Sequence, residues 1–464
     1  MQKTLTIVLL ILLSSNISAA VVEPYIYQHD KLTDSVKCDA NPRFSYSLYL
    51  PSYYNAKSKW PVLFVFDPGG RSRAAVERFI PAAEKYGYIV ACPPKSRNGV
   101  PWNDILEITD CMFGDVKKKY SVDPSRIYTA GFSGGSRVAS AIAIMYKGVS
   151  GVIACGAGLP GDPSGAALPQ FDMIGIVGNT DMNYIEMCQL ENYLEKKGRI
   201  AELRIFEGGH KWPDSNILQG AVEWLDLQAA KRGIIKRKQE FTDSLFAVAA
   251  EAAESNMKNG NLMEAARQYK YILKDFPNYP RSAKPKKTLD SLKLTKEYSR
   301  ALKKWNDNIS REKEERTSLE ALLMKRIENG SGHDSIYMQI SGKIESFRRL
   351  ANGKDQELKS MASRILSFMS LMCYEKGNGL YTSGRYREAS KCYESGVLAE
   401  PGNVQMLVSG ARAFVLDSNV PDALSFLRKA VEQGFHDRQL LMNDKAFAKI
   451  RDDQRFVRIM DEMK

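Results

Sequence analysis

The stretch Gly131-Phe132-Ser133-Gly134-Gly135 decides the fold of this 464-residue chain. The preceding run Arg126–Phe132 predicts a strand, and Ser136–Tyr146 contains no helix breaker and predicts a helix. A G-x-S-x-G motif alone arises often by chance, so its weight comes from lying between a strand and a helix. On such a sharp turn the flanking glycines avoid clashes, and the serine hydroxyl stands clear of the sheet beside the first amides of the helix. We therefore interpret Ser133 as a candidate nucleophile.

Around this turn, short β-branched or aromatic runs alternate with amphipathic stretches from Phe44 to Leu227. The alternation is typical of a mostly parallel sheet with flanking helices, and runs that are apolar throughout indicate strands buried on both faces. The predicted strands are Phe44–Leu50, Val62–Phe66, Tyr88–Cys92, Arg126–Phe132, Gly151–Cys155, Met173–Val177 and Glu202–Phe206. The predicted helices are Arg73–Tyr86, Trp102–Tyr120, Gly134–Tyr146, Tyr184–Lys197 and Asn216–Ala230.

A serine hydroxyl needs a base to remove its proton, and the base needs a carboxylate to orient it. His210 follows the last predicted strand, and Asp181 follows the strand before it. Both residues are therefore expected at the same edge of the sheet as Ser133. We predict that Ser133, Asp181 and His210 form a catalytic triad.

Other interpretations of these two residues exist when each is taken singly. His210 also fits a loop histidine that caps the next helix, and Asp181 fits the N-cap of Tyr184–Lys197. Asp162 and Asp214 are the other candidates for the acid. Asp162 lies too early in the chain, and Asp214 follows the histidine.

The order serine, aspartate, histidine, each after a strand, resembles the α/β-hydrolase superfamily. Over residues 21–232 the chain is similar to compact bacterial esterases of the polyhydroxybutyrate-depolymerase, feruloyl-esterase and dienelactone-hydrolase kind. Dienelactone hydrolases use a cysteine nucleophile, so Ser133 departs from them and favours ester hydrolysis. The resemblance implies an acyl-enzyme mechanism that uses no cofactor and no metal.

The resemblance also implies an open cleft. Lid-bearing relatives insert a helical cap where this chain has only Gly156–Asp172, so no cap is expected and a bulky or polymer-linked ester would fit. Trp102, Trp212 and Tyr184 flank the expected site in sequence. Their rings suit either stacking on a substrate or packing in the core or rim.

An oxyanion hole is the remaining requirement of this chemistry, because N–H groups must bind the negative oxygen of the tetrahedral intermediate. Gly134 N–H is the expected first donor. The related esterases usually take the second donor from a His-Gly-Gly-Gly loop, where this chain has Phe66-Asp67-Pro68-Gly69-Gly70-Arg71. Pro68 has no N–H, so Gly69 or Gly70 is expected to donate. A plain Pro-Gly turn is the alternative.

Beyond about Lys231 the strand signal ends and the chain becomes helical, with a 34-residue spacing between Ala389 and Ala423. This half resembles tetratricopeptide repeats, whose concave surface typically binds a protein partner. Asp290–Ser370 fits the repeat poorly and suits either long connecting helices or degenerate repeats. The residues of the repeat pattern are Ala265, Tyr269, Pro277, Ala389, Tyr393, Pro401, Ala423, Leu427 and Ala430.

The N-terminus has the pattern of a cleavable signal peptide: Lys3, an apolar run, then Ser18-Ala19-Ala20. A membrane anchor is the alternative, although the apolar run is short for a bilayer span. We expect a periplasmic or secreted protein without a membrane span in the mature chain. The predicted domains are residues 1–20 as signal peptide, 21–232 as α/β hydrolase and 233–464 as helical repeats.

Composition excludes several classes of function. The four histidines are scattered and no C-x-x-C pair occurs, which argues against common metal and haem motifs. The net charge of +12 comes mainly from the helical half, where interleaved acids favour a solvated helix face over binding of an anionic surface or glycan. An exported chain is not expected to bind nucleic acid. Of the seven cysteines, Cys92 and Cys155 lie in apolar runs and are expected as buried free thiols.

Three functions remain open from the sequence. The first is an exported serine carboxylesterase, the second a serine peptidase of the same fold, and the third a non-catalytic repeat scaffold with a relic hydrolase domain. We expect removal of residues 233–464 to have little effect on the turnover of small esters.

Overall fold

The computed structural model describes residues 30–161, 171–328 and 335–463. The predicted signal peptide and the alternative acid Asp162 lie outside these ranges. Between β6 and β7, as defined below, the described residues contain no helix.

One mixed sheet forms the centre of the N-terminal half. The described residues supply eight strands in the order β1-β2-β4-β3-β5-β6-β7-β8. Pairing is antiparallel from β1 to β2 and from β2 to β4, and parallel across the rest of the sheet. The strands are β1 (Thr33–Lys37), β2 (Ser45–Tyr49), β3 (Trp60–Phe66), β4 (Ile89–Cys92), β5 (Val122–Phe132), β6 (Val149–Cys155), β7 (Asp172–Gly178) and β8 (Ala201–Phe206). The mostly parallel sheet predicted from the sequence is confirmed, and β1 is an addition to it.

Helices cover both faces of this sheet. They are α1 (Ser72–Glu77), α2 (Ile80–Tyr86), α3 (Trp102–Lys119), α4 (Gly134–Met145), α5 (Tyr184–Lys196) and α6 (Ser215–Lys231). The prediction of a single helix over Arg73–Tyr86 is wrong, because the helix breaks before Ile80. Pro81 has no N–H for an intrahelical bond, but it is well tolerated in the first turn of α2.

Strand β3 shows why several strands are apolar throughout. Successive side chains of a strand point to opposite faces of a sheet. Phe64 and Phe66 therefore pack into one apolar layer, and Leu63 and Val65 into the other. Because helices cover both layers, no position along β3 faces water, and every one of its residues is buried.

The C-terminal half is helical throughout its described residues. Its α-helices are α7 (Gln239–Lys258), α8 (Leu262–Asp275), α9 (Ala283–Lys293), α10 (Lys296–Glu328), α11 (Ser335–Ala351), α12 (Gln356–Thr382), α13 (Tyr386–Ala399), α14 (Val404–Leu416), α15 (Val420–Glu432), α16 (Arg438–Asn443) and α17 (Gln454–Glu462). Much of Asp290–Ser370, left open by the sequence, forms the long helices α10, α11 and the first part of α12. Within the described ranges, no helix combines the length and the apolar character that crossing a membrane requires.

Helix α8 covers part of the sheet edge at β8. The hydroxyl of Tyr271 accepts a hydrogen bond from the backbone N–H of Leu203 at 2.8 Å, as a neighbouring strand would. Asp275 accepts hydrogen bonds from Trp224 at 3.1 Å and Gln228 at 2.9 Å, both on α6. An open edge strand offers unpaired backbone groups to other chains, and these contacts cover part of that edge.

Candidate active site

Ser133 stands on a strained turn between β5 and α4. Its backbone has φ 52° and ψ −122°, a left-handed φ that non-glycine residues rarely adopt. A Cβ atom added at Gly131 would lie 2.2 Å from the carbonyl oxygen of Gly135, and one added at Gly135 would lie 2.1 Å from that of Phe66. The turn therefore requires both glycines, which is the reason that the motif predicted it.

The structure brings the three predicted triad residues into one row. Nε2 of His210 lies 2.8 Å from Oγ of Ser133, and Nδ1 lies 2.9 Å from Oδ2 of Asp181. With the proton placed on Nδ1 by this network, the imidazole donates to Asp181 and accepts from the serine hydroxyl. Asp181 is almost fully buried, whereas the imidazole is partly exposed.

The alternative interpretations of Asp181, His210 and Asp214 can now be compared. Oδ1 of Asp181 accepts from the N–H of Asn183 at 2.8 Å, so this carboxylate orders its own turn with one oxygen and holds the imidazole with the other. Asp214, not His210, occupies the N-cap position of α6. The imidazole Nδ1 is bonded to Asp181, so Asp214 is not its partner.

Asn179 ties the loop of the aspartate to the loop of the histidine. Its backbone N–H donates to the carbonyl of Phe206 at 2.8 Å, and its side-chain oxygen accepts from the N–H of Gly208 at 3.0 Å. The N–H of Thr180 donates to the carbonyl of Gly208 at 3.0 Å. Asn179 lies two residues before Asp181, and Gly208 lies two residues before His210. The two loops are therefore held as one unit.

The expected second oxyanion donor requires a correction. Gly69 N–H donates to Oδ1 of Asp67 at 2.8 Å, and Gly70 N–H donates to the carbonyl of Asp67 at 3.1 Å. Both N–H groups already donate to Asp67 within the turn, so neither is free to bind an oxyanion. The Pro-Gly turn, weighed as the alternative, describes this loop. Gly134 N–H begins α4 and has no acceptor in the described part of the chain, as expected of a first donor.

Asp67 holds the turn that contains Gly69 and Gly70 in place. Its buried carboxylate accepts from the backbone N–H, Nε and Nη2 of Arg71 and from the indole N–H of Trp212, as well as from Gly69. Burial alone would raise the pKa of Asp67, but these hydrogen bonds outweigh it and hold the pKa below its ordinary value. The carboxylate stays charged and keeps the turn in place.

Asn98 is a polar residue beside Gly134 that sequence reasoning missed. A Cβ atom added at Gly134 would lie 2.0 Å from Oδ1 of Asn98, so the side-chain amide packs directly against the first expected oxyanion donor. The Asn98 N–H donates to the carbonyl of Pro68 at 2.9 Å, while its exposed side chain has no hydrogen-bond partner among the described residues. A cavity of about 200 Å³ opens here, lined in part by Trp102 and Val138. The only sequence signal was an amide residue in the loop after β4.

Strand order and the turn at Ser133 together decide the architecture of the N-terminal half. It has the α/β-hydrolase fold. No curated protein sequence matches this chain. A tetratricopeptide-repeat model matches residues 374–435, which confirms that part of the predicted repeats.

Solved structures with a similar hydrolase half come from several organisms. An esterase of Pyrobaculum calidifontis is 16% identical with a TM-score of 0.34, and the likeness covers 44% of this chain and 85% of that one. An S-formylglutathione hydrolase of Staphylococcus aureus is 13% identical with a TM-score of 0.32, covering 39% and 90%. The feruloyl esterase module of Clostridium thermocellum is 14% identical with a TM-score of 0.32, covering 41% and 83%.

The helical half of the chain contacts the hydrolase loops directly. Nη1 of Arg364, on α12, donates to the carbonyl of Asn179 at 2.8 Å. Nε and Nη2 of the same guanidinium donate to Oε2 of Glu312 on α10, at 2.9 and 2.6 Å. The guanidinium lies 4.5 Å from the centre of the Tyr184 ring. A cavity of about 350 Å³ between the two halves is lined by Asn179, Arg364 and Trp305.

The three aromatic residues that flank the site take different roles. Trp212 is buried with its N–H on Asp67, and Tyr184 is buried with its hydroxyl accepting from Trp305 at 3.3 Å. Both therefore pack within the protein. Trp102 is 39% exposed and lines the cavity beside Asn98, so it alone of the three remains placed to meet a substrate.

Metal ligands and thiols are separate from this site. In the ranges that the structure describes, no group of three or more His, Cys, Asp or Glu side chains could hold a metal ion. All seven cysteines are free, and Cys92 and Cys155 are buried as predicted. Burial raises the pKa of both thiols well above the ordinary value, so neither has the thiolate character of a nucleophile.

Proposed function

We propose that this chain is an exported serine hydrolase, most specifically a carboxylesterase. The observation that carries the proposal is the row of Ser133, His210 and Asp181. The imidazole lies at hydrogen-bond distance from both the serine hydroxyl and the carboxylate, and Ser133 lies on a strained turn. A relic site would have little reason to retain this geometry and the strain that accompanies it.

In the acylation step, Oγ of Ser133 attacks the ester carbonyl carbon while Nε2 of His210 takes the hydroxyl proton. The tetrahedral intermediate collapses as its carbon–oxygen bond to the alcohol breaks, and the imidazolium gives its proton to the leaving oxygen. Water then attacks the acyl-enzyme, with His210 again accepting a proton, and Ser133 leaves with that proton. Asp181 keeps Nδ1 protonated and stabilises the imidazolium at each stage.

Two donors are assigned to the oxyanion of the intermediate. Gly134 N–H is the first, at the N-terminus of the 12-residue helix α4, where the helix dipole favours negative charge. The side-chain amide of Asn98 is the second. Three observations support this assignment: the position of Asn98 against Gly134, the lack of a hydrogen-bond partner for its side chain among the described residues, and the hydrogen bonds that already occupy the N–H groups of Gly69 and Gly70. The amide must present Nδ2 to the oxyanion, which a rotation about χ2 provides.

Ester and amide substrates are distinguished by a panel of p-nitrophenyl acyl esters and aminoacyl p-nitroanilides. We expect ester turnover by the wild type and its loss in Ser133→Ala. Turnover confined to the anilides would instead identify a serine peptidase, and no turnover of either class would favour the scaffold. Extending the panel to bulky and polymer-linked esters tests whether the cleft accepts them.

Export and partner binding are further parts of the proposal. The pattern of Lys3, an apolar run and Ser18-Ala19-Ala20 supports cleavage by signal peptidase, and the matched repeat at residues 374–435 supports binding of a protein partner. Mass spectrometry of the protein from its native host should give a mature chain that begins near Val21. A mature chain that retains Met1 would contradict export by this route.

A further inference from the structure

Arg364 joins the helical half to the loops that carry two of the triad residues. It lies 185 positions from Asn179, whose carbonyl it binds, and its whole side chain is buried between α10 and the hydrolase. The same Asn179 binds the N–H of Gly208 through its side chain. One guanidinium therefore reaches both the aspartate loop and the histidine loop through a single residue.

The guanidinium itself is fixed on three sides. Besides the Asn179 carbonyl, it contacts Glu312, which has no exposed surface and accepts two of its hydrogen bonds, and its Cζ lies over the Tyr184 ring, 4.5 Å from the ring centre. Arg316 binds the other oxygen of Glu312 at 2.5 Å. A buried carboxylate costs folding free energy unless it is paired in good geometry. The two arginines supply that pairing, so Arg364 has little freedom to move away from Asn179.

We propose that Arg364 is a positioning residue and that the helical half thereby completes the active site. By holding the Asn179 carbonyl, Arg364 keeps Asp181 at the distance that orients His210. Because Asn179 also binds Gly208, the same contact keeps the histidine loop in place against the aspartate loop. This inference rests on the proposed hydrolase function. It reverses the expectation that residues 233–464 are dispensable for the turnover of small esters.

Full-length Arg364→Gln and Arg364→Lys test this positioning role. Arg364→Gln removes the charge and most donors, whereas Arg364→Lys keeps the charge beside Glu312 but lacks the planar fork. The matched controls are Arg326→Gln and Arg326→Lys. Arg326 is also a buried arginine of the helical half, it pairs with Glu394, and it donates to the carbonyl of Lys391 at 2.7 Å, away from the catalytic loops.

We expect Arg364→Gln to lower kcat for p-nitrophenyl acetate about 10- to 100-fold, with KM within about threefold of the wild type, because small displacements of catalytic groups are costly. The acid limb of the kcat/KM profile should move to lower pH, since a displaced Asp181 stabilises the imidazolium less. Arg364→Lys should recover part of kcat. The Arg326 variants should lose thermal stability to a similar extent while keeping kcat and the pH profile.

Two results would overturn the inference. One is a folded Arg364→Gln variant that retains the wild-type kcat and pH profile. If Arg364→Gln does not fold, the same result for a folded Arg364→Lys variant would overturn it. The other is an equal loss of kcat in the Arg326 variants, which would indicate a general effect on stability. Failure of the proposed function has a different signature, because the wild type itself would then hydrolyse no ester.

Discussion

The indole N–H of Trp212 donates to Oδ2 of the buried Asp67 at 2.8 Å, and this bond joins the loop after β3 to the loop that carries His210. The Trp212 ring also packs against Phe132, 5.5 Å between ring centres, and Phe132 lies 4.6 Å from the imidazole ring. Trp212 thus links the turn at Ser133, the loop that carries His210 and the loop after β3.

Trp212→Phe should retain an aromatic ring and remove the N–H. Because Asp67 then loses one partner in a buried position, we expect the free energy of unfolding to fall by about 1–3 kcal/mol in urea denaturation. Trp102→Phe is the control, since Trp102 is partly exposed and its indole N–H has no acceptor in the part of the chain that the structure describes. Equal effects of the two substitutions would contradict this role of Trp212.

Asn98→Ala should lower kcat about 10²- to 10³-fold with little change in KM, because the lost donor acts on the oxyanion rather than on the ground-state ester. Asn98→Asp should be at least as damaging, since a carboxylate would repel the negative oxygen. Asn103→Ala, at an exposed asparagine on α3, is the control. Full activity of Asn98→Ala in a steady-state ester assay would remove Asn98 from the oxyanion hole.

Asp181→Asn should lower kcat about 10⁴-fold, because the amide favours the wrong tautomer of the imidazole. Asp214→Asn should leave kcat near the wild-type value, since Asp214 stands at the start of α6 and makes no side-chain cap bond there. The comparison uses the same ester assay for both variants. The opposite ranking of the two would identify Asp214 as the acid.

Glu202 provides a test of pH dependence away from the active site. It lines a cavity of about 420 Å³ between β8 and helices α6 to α8, and burial, partly offset by Arg204, raises its pKa from 4.5 to about 7. The folded protein therefore holds a proton that the unfolded chain releases above pH 4.5. The free energy of unfolding should fall as pH rises from 4.5 to 7 and level off above that.

Glu202→Gln replaces the carboxyl group with an amide that does not titrate between pH 4.5 and 8. Relative to the wild type it should be more stable at pH 8, by about 1–3 kcal/mol, and nearly equal at pH 4.5, as measured by urea denaturation. Glu207→Gln, at an exposed glutamate of the following loop, is the control and should show no such difference between the two pH values. The raised pKa would be contradicted if the free energy of unfolding of Glu202→Gln differed from that of the wild type by the same amount at pH 4.5 and pH 8.

The sequence predicted the features that depend on neighbouring residues. The turn at Ser133 could be inferred because Gly131 and Gly135 are both required by close backbone contacts within a short stretch. The placement of Asp181 and His210 followed from the parallel sheet, which brings the carboxyl ends of its strands to one edge. Strand β1 escaped notice because its mostly exposed edge position imposes no apolar alternation.

Features that depend on side-chain direction or on distant contacts could not be predicted. The sequence showed that Gly69 and Gly70 have N–H groups but not that Asp67 accepts hydrogen bonds from both. It showed an amide at Asn98 but not its approach to Gly134. The bond from Arg364 to Asn179 spans 185 positions, and no local pattern marks either end of it.

The most direct test of the triad is site mapping of a fluorophosphonate adduct by peptide mass spectrometry. An activated serine attacks the probe phosphorus and displaces fluoride, so the wild type should carry a single adduct on the peptide containing Ser133. Ser133→Ala should remain unlabelled, and His210→Ala should label far more slowly. A well-folded wild type that takes up no probe, or takes it up at another serine, would contradict an activated hydroxyl at position 133.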